Sequence, residues 1–197
     1  MSPPPFLWPY ALIFWSVYAW ALVPEMRIIR RAREESKRTG SQDAGSVRVM
    51  MGVMSTVMVL AFPLAFVERW SFPESQHRLL FAAGITLMVL GSLLRRYCWT
   101  TLGEYFTGDV QVRAGQPVIR TGPYRLVRHP SYTGGTLMQA GVGLALCSWA
   151  SLVLLTVTAI ATYLYRVRIE ERVLLDNLGE PYRAYMRESR RFVPYIL

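Results

Sequence analysis

Residues 131–165 read SYTGGTLMQAGVGLALCSWASLVLLTVTAIATYLY and contain no charged side chain. A single helix of 35 residues, at 1.5 Å per residue, would be much longer than the roughly 30 Å hydrocarbon core of a bilayer. The run therefore predicts two membrane helices, residues 131–149 and 150–165, joined by a tight reversal at 148–150. Trp149 suits the membrane interface at that reversal.

Three further apolar runs precede this one. Residues 6–23 and 49–67 are uncharged over 18 and 19 residues, and residues 79–94 are flanked by Arg78 and Arg95, whose long side chains can reach the interface. The sequence thus predicts an all-α integral membrane protein with five transmembrane helices and a tight hairpin between helices four and five. Its 52% hydrophobic and 18% charged residues exclude a disordered or disulfide-stapled chain.

The positive charge follows the predicted membrane topology. Arg and Lys concentrate after the first, third and fifth spans, with six, six and seven residues in those segments. The positive-inside rule then places the amino terminus outside, and the carboxyl terminus and any site beside it in the cytoplasm. The net charge of +9 is explained by this topology, so we expect membrane lipids and no nucleic acid as partners.

The sequence offers no processing, disulfide or metal motif. The leader before residue 6 has no positive segment, so we expect the first span to be retained rather than cleaved. Cys98 and Cys147 are predicted near opposite faces of the membrane, too far apart for a disulfide. No Cys or His cluster has the spacing of a metal site, and we expect no metal.

Two longer polar segments, residues 95–130 and 166–197, lie on the predicted cytoplasmic side. In the first, the alternation and turn residues around 110–119 predict a small hairpin or extended loop. In the second, helix five continues through Leu178, ends at Gly179 and is followed by a new helix. We expect this loop and the C-terminal helix to form a polar site at the membrane surface.

The hairpin brings opposite charges together. Residues equidistant from its turn return to the same depth, so His129 lies level with Glu170 on helices about 8–10 Å apart. Pro130 leaves free backbone N–H groups that suit an anion, while Glu170 and Glu171 can receive a cation and Arg166 a carboxylate. The pattern predicts a site for a zwitterionic ligand, although an intrahelical salt bridge beside an interfacial histidine explains the same spacing.

Three stretches resemble a known family. Residues 122–134 read GPYRLVRHPSYTG, residues 170–185 read EERVLLDNLGEPYRAY, and residues 191–194 read RFVP. In order and spacing they resemble the isoprenylcysteine carboxyl methyltransferases and related membrane phospholipid methyltransferases, whose pattern is GxYxxxRHPxYxG, then EExxL, then GxxYxxY. Members are integral membrane enzymes that use S-adenosylmethionine. The resemblance implies a single methyltransferase domain, residues 1–197, with its catalytic part at about 95–197.

The resemblance also implies residue roles. The cofactor-binding positions would be Gln116, Pro117, Val118, Ile119, Tyr124, His129, Pro130, Ser131, Tyr132 and Glu170. Among them Glu170 would hold the ammonium group of the cofactor. Arg166 matches the position associated with the substrate carboxylate, and Asp109 matches a polar cofactor contact of some relatives. His129 and Glu171 complete the implied catalytic set as candidate bases.

The chemistry implied is displacement at a methyl group that a sulfonium already activates, so positioning and desolvation matter more than proton transfer. A carboxylate acceptor needs no base, whereas an amine or alcohol needs one. The main hypothesis is methylation of an isoprenylcysteine-like carboxylate on a lipophilic or lipidated substrate that enters from the bilayer. Arg172 interrupts an acidic run of the eukaryotic enzymes and leaves the acceptor open. The alternatives are a phospholipid N-methyltransferase, an NADPH-dependent sterol-type reductase and a non-catalytic membrane protein.

Overall fold

The computed structural model describes residues 2–39, 45–106, 112 and 115–192. Within these residues the secondary structure is helical, apart from two isolated β-bridges. The α-helices are α1 (Tyr10–Thr39), α2 (Ser46–Leu64), α3 (Glu74–Leu102), α4 (Pro130–Ala145), α5 (Trp149–Leu178) and α6 (Glu180–Glu188). The predicted all-α class is confirmed for this part of the chain.

Four helical segments of the described residues are long and apolar enough to cross a membrane: Tyr10–Ile28, Ser46–Leu64, Glu74–Tyr105 and Trp149–Leu178. Helix α4 has 16 residues, which at 1.5 Å per residue is about 24 Å, less than the roughly 30 Å of a bilayer core. It packs between α3 and α5. The structure thus supports four of the five predicted spans, and the count of five is not confirmed.

The reversal between α4 and α5 comes earlier than predicted. Cys147 turns the chain with a φ of 53°, and α5 begins at Trp149. Ser148 is the N-cap, and its hydroxyl accepts a hydrogen bond from the Ser151 N–H at 3.3 Å. The predicted turn at 148–150 is about two residues late, because an apolar run does not mark its own boundary whereas the serine cap does.

Helices α3 and α4 touch backbone to backbone. A methyl group placed on Gly84 would lie 2.5 Å from the Ala145 nitrogen and 2.6 Å from the Gly141 oxygen, and one on Gly91 would lie 2.5 Å from the Gly134 oxygen. Glycine is therefore required for this close approach. The contact extends along α4, from Gly134 in its first turns to Ala145 at its end.

The buried core lies towards the α4–α5 reversal. Phe14, Phe81, Leu146 and Leu155 are at most 4% exposed and pack together there. Helix α2 is attached to α5 by the Ser151 hydroxyl, which donates to the Ala61 carbonyl at 2.7 Å. Cys98 and Cys147 are buried and free, which confirms the prediction that they form no disulfide.

The C-terminal segment folds back across the opposite end of the bundle. Helix α5 ends at Gly179, which has a φ of 60°, and α6 follows immediately, as predicted. The Tyr185 hydroxyl donates to the Tyr124 carbonyl at 2.5 Å. Beyond α6, the backbone N–H of Arg128 donates to Arg190 O at 2.7 Å. This end of the bundle, which we call the site end, holds the predicted functional residues.

Candidate active site

A cavity of about 1060 Å³ opens at the site end and is lined by residues of all six α-helices and of the loop before α4. Most of the predicted site residues line it: Gln116, Pro117, Val118, Ile119, Tyr124, His129, Ser131, Tyr132, Arg166 and Glu170. The predicted residues outside the lining are Pro130 and Glu171. The structure therefore brings together side chains and backbone from both polar segments of the sequence.

Tyr132 connects opposite charges at the polar end of the cavity. Its hydroxyl donates to Glu170 Oε2 at 2.7 Å and accepts from Arg166 Nε at 2.9 Å. Arg166 is 4% exposed and also donates from Nη1 to the Ser46 hydroxyl at 2.8 Å. Three helices, α2, α4 and α5, thus fix the position of this guanidinium group.

His129 stands between two carboxylates. Its Nε2 is 3.3 Å from Glu171 Oε1, and its Nδ1 is 3.9 Å from Glu170 Oε1. The prediction that the start of α4 faces this pair of glutamates is confirmed. A reversal about two residues earlier shifts the position level with His129 by about four residues, roughly one helical turn, and the long glutamate side chains still reach the ring.

Glu171 points away from the cavity into a cluster of cations. Its carboxylate receives Arg128 Nε at 3.1 Å and Arg191 Nη2 at 2.8 Å. The residue is only 4% exposed. A buried carboxylate with two guanidinium partners is charge-compensated and hydrogen-bonded, as burial of an ionised group requires.

The loop before α4 lies along the cavity as an irregular segment at 116–119. The rest of the hairpin expected around 110–119, together with Asp109, falls mainly in 107–111 and 113–114, outside the described residues. Burial raises the pKa of Tyr124 and of Tyr182, and it raises the pKa of Tyr185 to about 12. All three phenols therefore remain neutral near pH 7.

Sequence reasoning missed an ion pair in the cavity wall. Glu25 of α1 and Arg95 of α3 both line the cavity, and two nitrogens of the guanidinium group contact the two carboxylate oxygens. Arg95 also donates from Nη1 to the Ser131 carbonyl at 2.9 Å, at the start of α4. The available signal was an acidic residue, Glu25, and two adjacent basic residues, Arg95 and Arg96, at the site ends of two separate apolar runs.

The cavity continues from its polar end between the membrane-spanning helices. Most of its lining there is apolar, with methionines prominent: Met26 of α1, Met51, Met54 and Met58 of α2, and Met138 of α4. We call this part the methionine branch. Methionine side chains are unbranched and polarisable, so they adapt to apolar groups of different shape.

A multi-pass helical bundle with a charged pocket that opens into an apolar branch defines a class of membrane protein. Such a protein has one site for a polar ligand and an adjoining site for a lipophilic one.

Comparison with known proteins shows which family the chain resembles. The model of the isoprenylcysteine carboxyl methyltransferase family matches residues 84–176. The chain is 28% identical over 123 residues to protein-S-isoprenylcysteine O-methyltransferase B of Arabidopsis thaliana, covering 61% of this chain and 62% of that protein. It is 27% identical over 151 residues to a probable protein-S-isoprenylcysteine O-methyltransferase of Oryza sativa subsp. indica, covering 73% and 79%.

A solved structure agrees with these sequence matches. The structure of the eukaryotic intramembrane Ras methyltransferase, an isoprenylcysteine carboxyl methyltransferase, superimposes with a TM-score of 0.65 at 27% identity, covering 72% of this chain and 52% of that one. The chain is therefore related to the isoprenylcysteine carboxyl methyltransferase family, as the resemblance predicted. It spans about three fifths of the Arabidopsis relative and about half of the solved structure.

Proposed function

We propose that this protein transfers a methyl group from S-adenosylmethionine to the carboxylate of a lipophilic, isoprenylcysteine-like acceptor. The observation that carries the proposal is the single cavity in which a charged end adjoins the methionine branch. The relatives are named for O-methylation of protein S-isoprenylcysteine. This relationship favours carboxyl methylation over phospholipid N-methylation, NADPH-dependent reduction and a non-catalytic role.

The charged end fits the polar part of the proposed cofactor. Glu170 and His129 line the cavity with acceptor atoms that suit an ammonium group. The loop at 116–119 offers peptide groups, the polar side chain of Gln116 and three apolar side chains, and Tyr124 also lines the cavity. When bound, S-adenosylmethionine supplies a methyl group that its sulfonium activates for transfer.

Arg166 is the proposed partner of the acceptor carboxylate. Tyr132 and Ser46 hold its guanidinium group against the cavity. An ionised carboxylate is already a nucleophile, so neither His129 nor Glu171 has to remove a proton in this reaction. The contribution of the protein is then to align the acceptor and exclude water.

The two ends of the cavity suggest separate entry routes for the cofactor and for the acceptor. We place the site end in the cytoplasm, where the basic segments predict it, and the amino terminus outside. The cofactor would enter from the cytoplasm and the acceptor from the bilayer. Because α1 and α2 complete a cavity whose polar residues come mostly from 95–197, we propose one domain for the whole chain, 1–197.

Methyl transfer can be tested with the purified protein in lipid nanodiscs. Labelled S-adenosylmethionine is added with N-acetyl-S-farnesylcysteine or with a total lipid extract. We expect label in the farnesylcysteine product, released as methanol by mild base because it is a carboxyl ester. Label that resists base and co-migrates with phospholipid would indicate N-methylation instead, and no label in either sample would contradict the proposal.

Cofactor binding provides a separate test. Glu170→Ala removes the proposed partner of the ammonium group, and we expect calorimetry to show at least a tenfold weaker affinity for S-adenosylmethionine, the typical effect of a charge-assisted hydrogen bond. Glu188→Ala, which removes an exposed carboxylate paired with Arg120, is the matched control. Unchanged affinity in Glu170→Ala, or binding of NADPH alone by the unmodified protein, would refute the cofactor assignment.

A further inference from the structure

Several neighbouring groups hold the imidazole ring of His129 in place. The residue is 4% exposed and is the N-cap of α4. Its backbone N–H donates to Arg191 O at 2.9 Å. The ring stacks on Tyr132 with centroids 5.8 Å apart and contacts the ring of Phe192 at 6.2 Å. The two ring nitrogens therefore face fixed and different surroundings.

The two ring nitrogens differ in whether their neighbours require them to carry a proton. Nε2 lies 3.3 Å from the carboxylate of Glu171, which Arg128 and Arg191 keep ionised. An ionised carboxylate only accepts hydrogen bonds, so Nε2 has to carry a proton. Nδ1 lies 3.9 Å from Glu170 Oε1, too far for a hydrogen bond between them.

In the neutral ring a proton on Nε2 leaves a lone pair on Nδ1. Nδ1 and Glu170 Oε1 are then two acceptors, 3.9 Å apart, on two residues that line the cavity. A donor about 3 Å from both fits between them. An ammonium group carries three N–H donors and can satisfy both acceptors at once.

We infer that Glu171 is a positioning residue that fixes His129 in its Nε2–H form, so that Nδ1 and Glu170 together receive an ammonium group in the cavity. This inference rests on the proposed function only for the source of the ammonium, the methionyl part of S-adenosylmethionine. Glu171 is then neither a base nor a ligand of the cofactor, and it acts through His129.

Nuclear magnetic resonance can read the protonated nitrogen directly. The chain has two histidines, His77 and His129, so a full-length protein labelled with ¹⁵N-histidine gives a simple spectrum, and His77→Gln assigns it. Two-bond couplings between the ring nitrogens and the carbon-bound ring protons distinguish the two neutral forms from each other and from the doubly protonated ring. Near neutral pH and without cofactor, we expect the Nε2–H form for His129. The Nδ1–H form or a doubly protonated ring would overturn the inference.

Two variants distinguish the effect of the Glu171–His129 contact on the ring from a general loss of stability around it. In Glu171→Gln the side-chain amide no longer requires a donor at Nε2, and we expect a mixture of the two neutral forms. Arg191→Ala removes one cation from the same carboxylate but leaves Arg128 and the backbone contact to His129, so we expect the Nε2–H form to persist. The inference fails if Glu171→Gln gives the spectrum of the unmodified protein or if Arg191→Ala gives the mixture.

A pair of ligands tests the role of Nδ1. S-adenosylhomocysteine contains the ammonium group, and its analogue without the amino group does not. We expect the first to shift the Nδ1 resonance of His129 and the second to leave it in place, and an equal response to both would overturn the ammonium assignment. If neither ligand binds by calorimetry the proposed cofactor is wrong, whereas the spectra of the ligand-free variants still decide the role of Glu171.

Discussion

At the scale of single residues, the hydroxyl of Tyr132 is the group on which the site depends most. It bridges Arg166 and Glu170 with hydrogen bonds of 2.9 and 2.7 Å. Tyr132→Phe removes both bonds, so the buried Arg166 and the half-buried Glu170 each lose a hydrogen-bond partner. We expect kcat/KM for the acceptor to fall at least about tenfold, since each bond involves a charged group. Methyl-transfer kinetics with N-acetyl-S-farnesylcysteine measure the effect.

The matched control is Tyr165→Phe. Tyr165 is 46% exposed on α5 and is outside the cavity lining. Loss of its hydroxyl removes the same atom from the neighbouring helix, and we expect kinetics within about twofold of the unmodified protein. Equal losses in the two variants would mean that the phenol at position 132 has no special role.

At the scale of helices, the contact between α3 and α4 positions the start of α4 and therefore the cavity. Gly91→Ala would bring a methyl group to 2.5 Å from the Gly134 oxygen, and backbone cannot yield as a flexible side chain does. We expect a loss of about 1–3 kcal/mol in the free energy of unfolding, the usual effect of overpacking. Thermal unfolding in detergent, followed by tryptophan fluorescence, would show a lower Tm.

Gly52→Ala is the control for Gly91→Ala. Gly52 lies within α2, and a methyl group there meets no atom within 4 Å. Alanine favours helix over glycine by about 0.5–1 kcal/mol, so we expect an unchanged or higher Tm. A Tm that falls equally in both variants would show that helix contact is not the cause.

At the scale of the whole molecule, the cavity joins a charged end to the apolar methionine branch. Met54 lines the methionine branch and lies 3.7 Å, sulfur to hydroxyl, from Thr162. Met54→Trp would fill this branch, and we expect activity on long-tailed acceptors to fall about tenfold or more. The affinity for S-adenosylmethionine should stay within about twofold, because Thr162, the residue that Met54 contacts, lies about two turns along α5 from Glu170.

Val53→Trp is the control for the added bulk. Val53 is on the same helix, 38% exposed and outside the cavity lining, so a tryptophan there should leave acceptor kinetics unchanged. If Met54→Trp weakens cofactor binding as much as acceptor turnover, the cavity does not divide into two regions as proposed.

The sequence by itself determined the helical membrane class, the restart of the helix after Gly179 and the meeting of His129 with Glu170. Long apolar runs, a glycine cap and the symmetry of a hairpin are properties of one segment or two adjacent ones, and they can be read locally. The order and spacing of the motifs likewise indicated the family before any comparison. The boundary of α4 was misplaced because nothing in an apolar run marks its end.

Only the tertiary structure decided which of these residues face the cavity. Lipid and the interior of the bundle are both apolar, so composition does not distinguish Met54, which lines the cavity, from Val53, which does not. The rotation of each helix settles that difference, and side-chain packing sets the rotation. The Glu25–Arg95 ion pair and the orientation of Glu171 towards Arg191 join residues distant in the chain, so they too depend on how the helices pack.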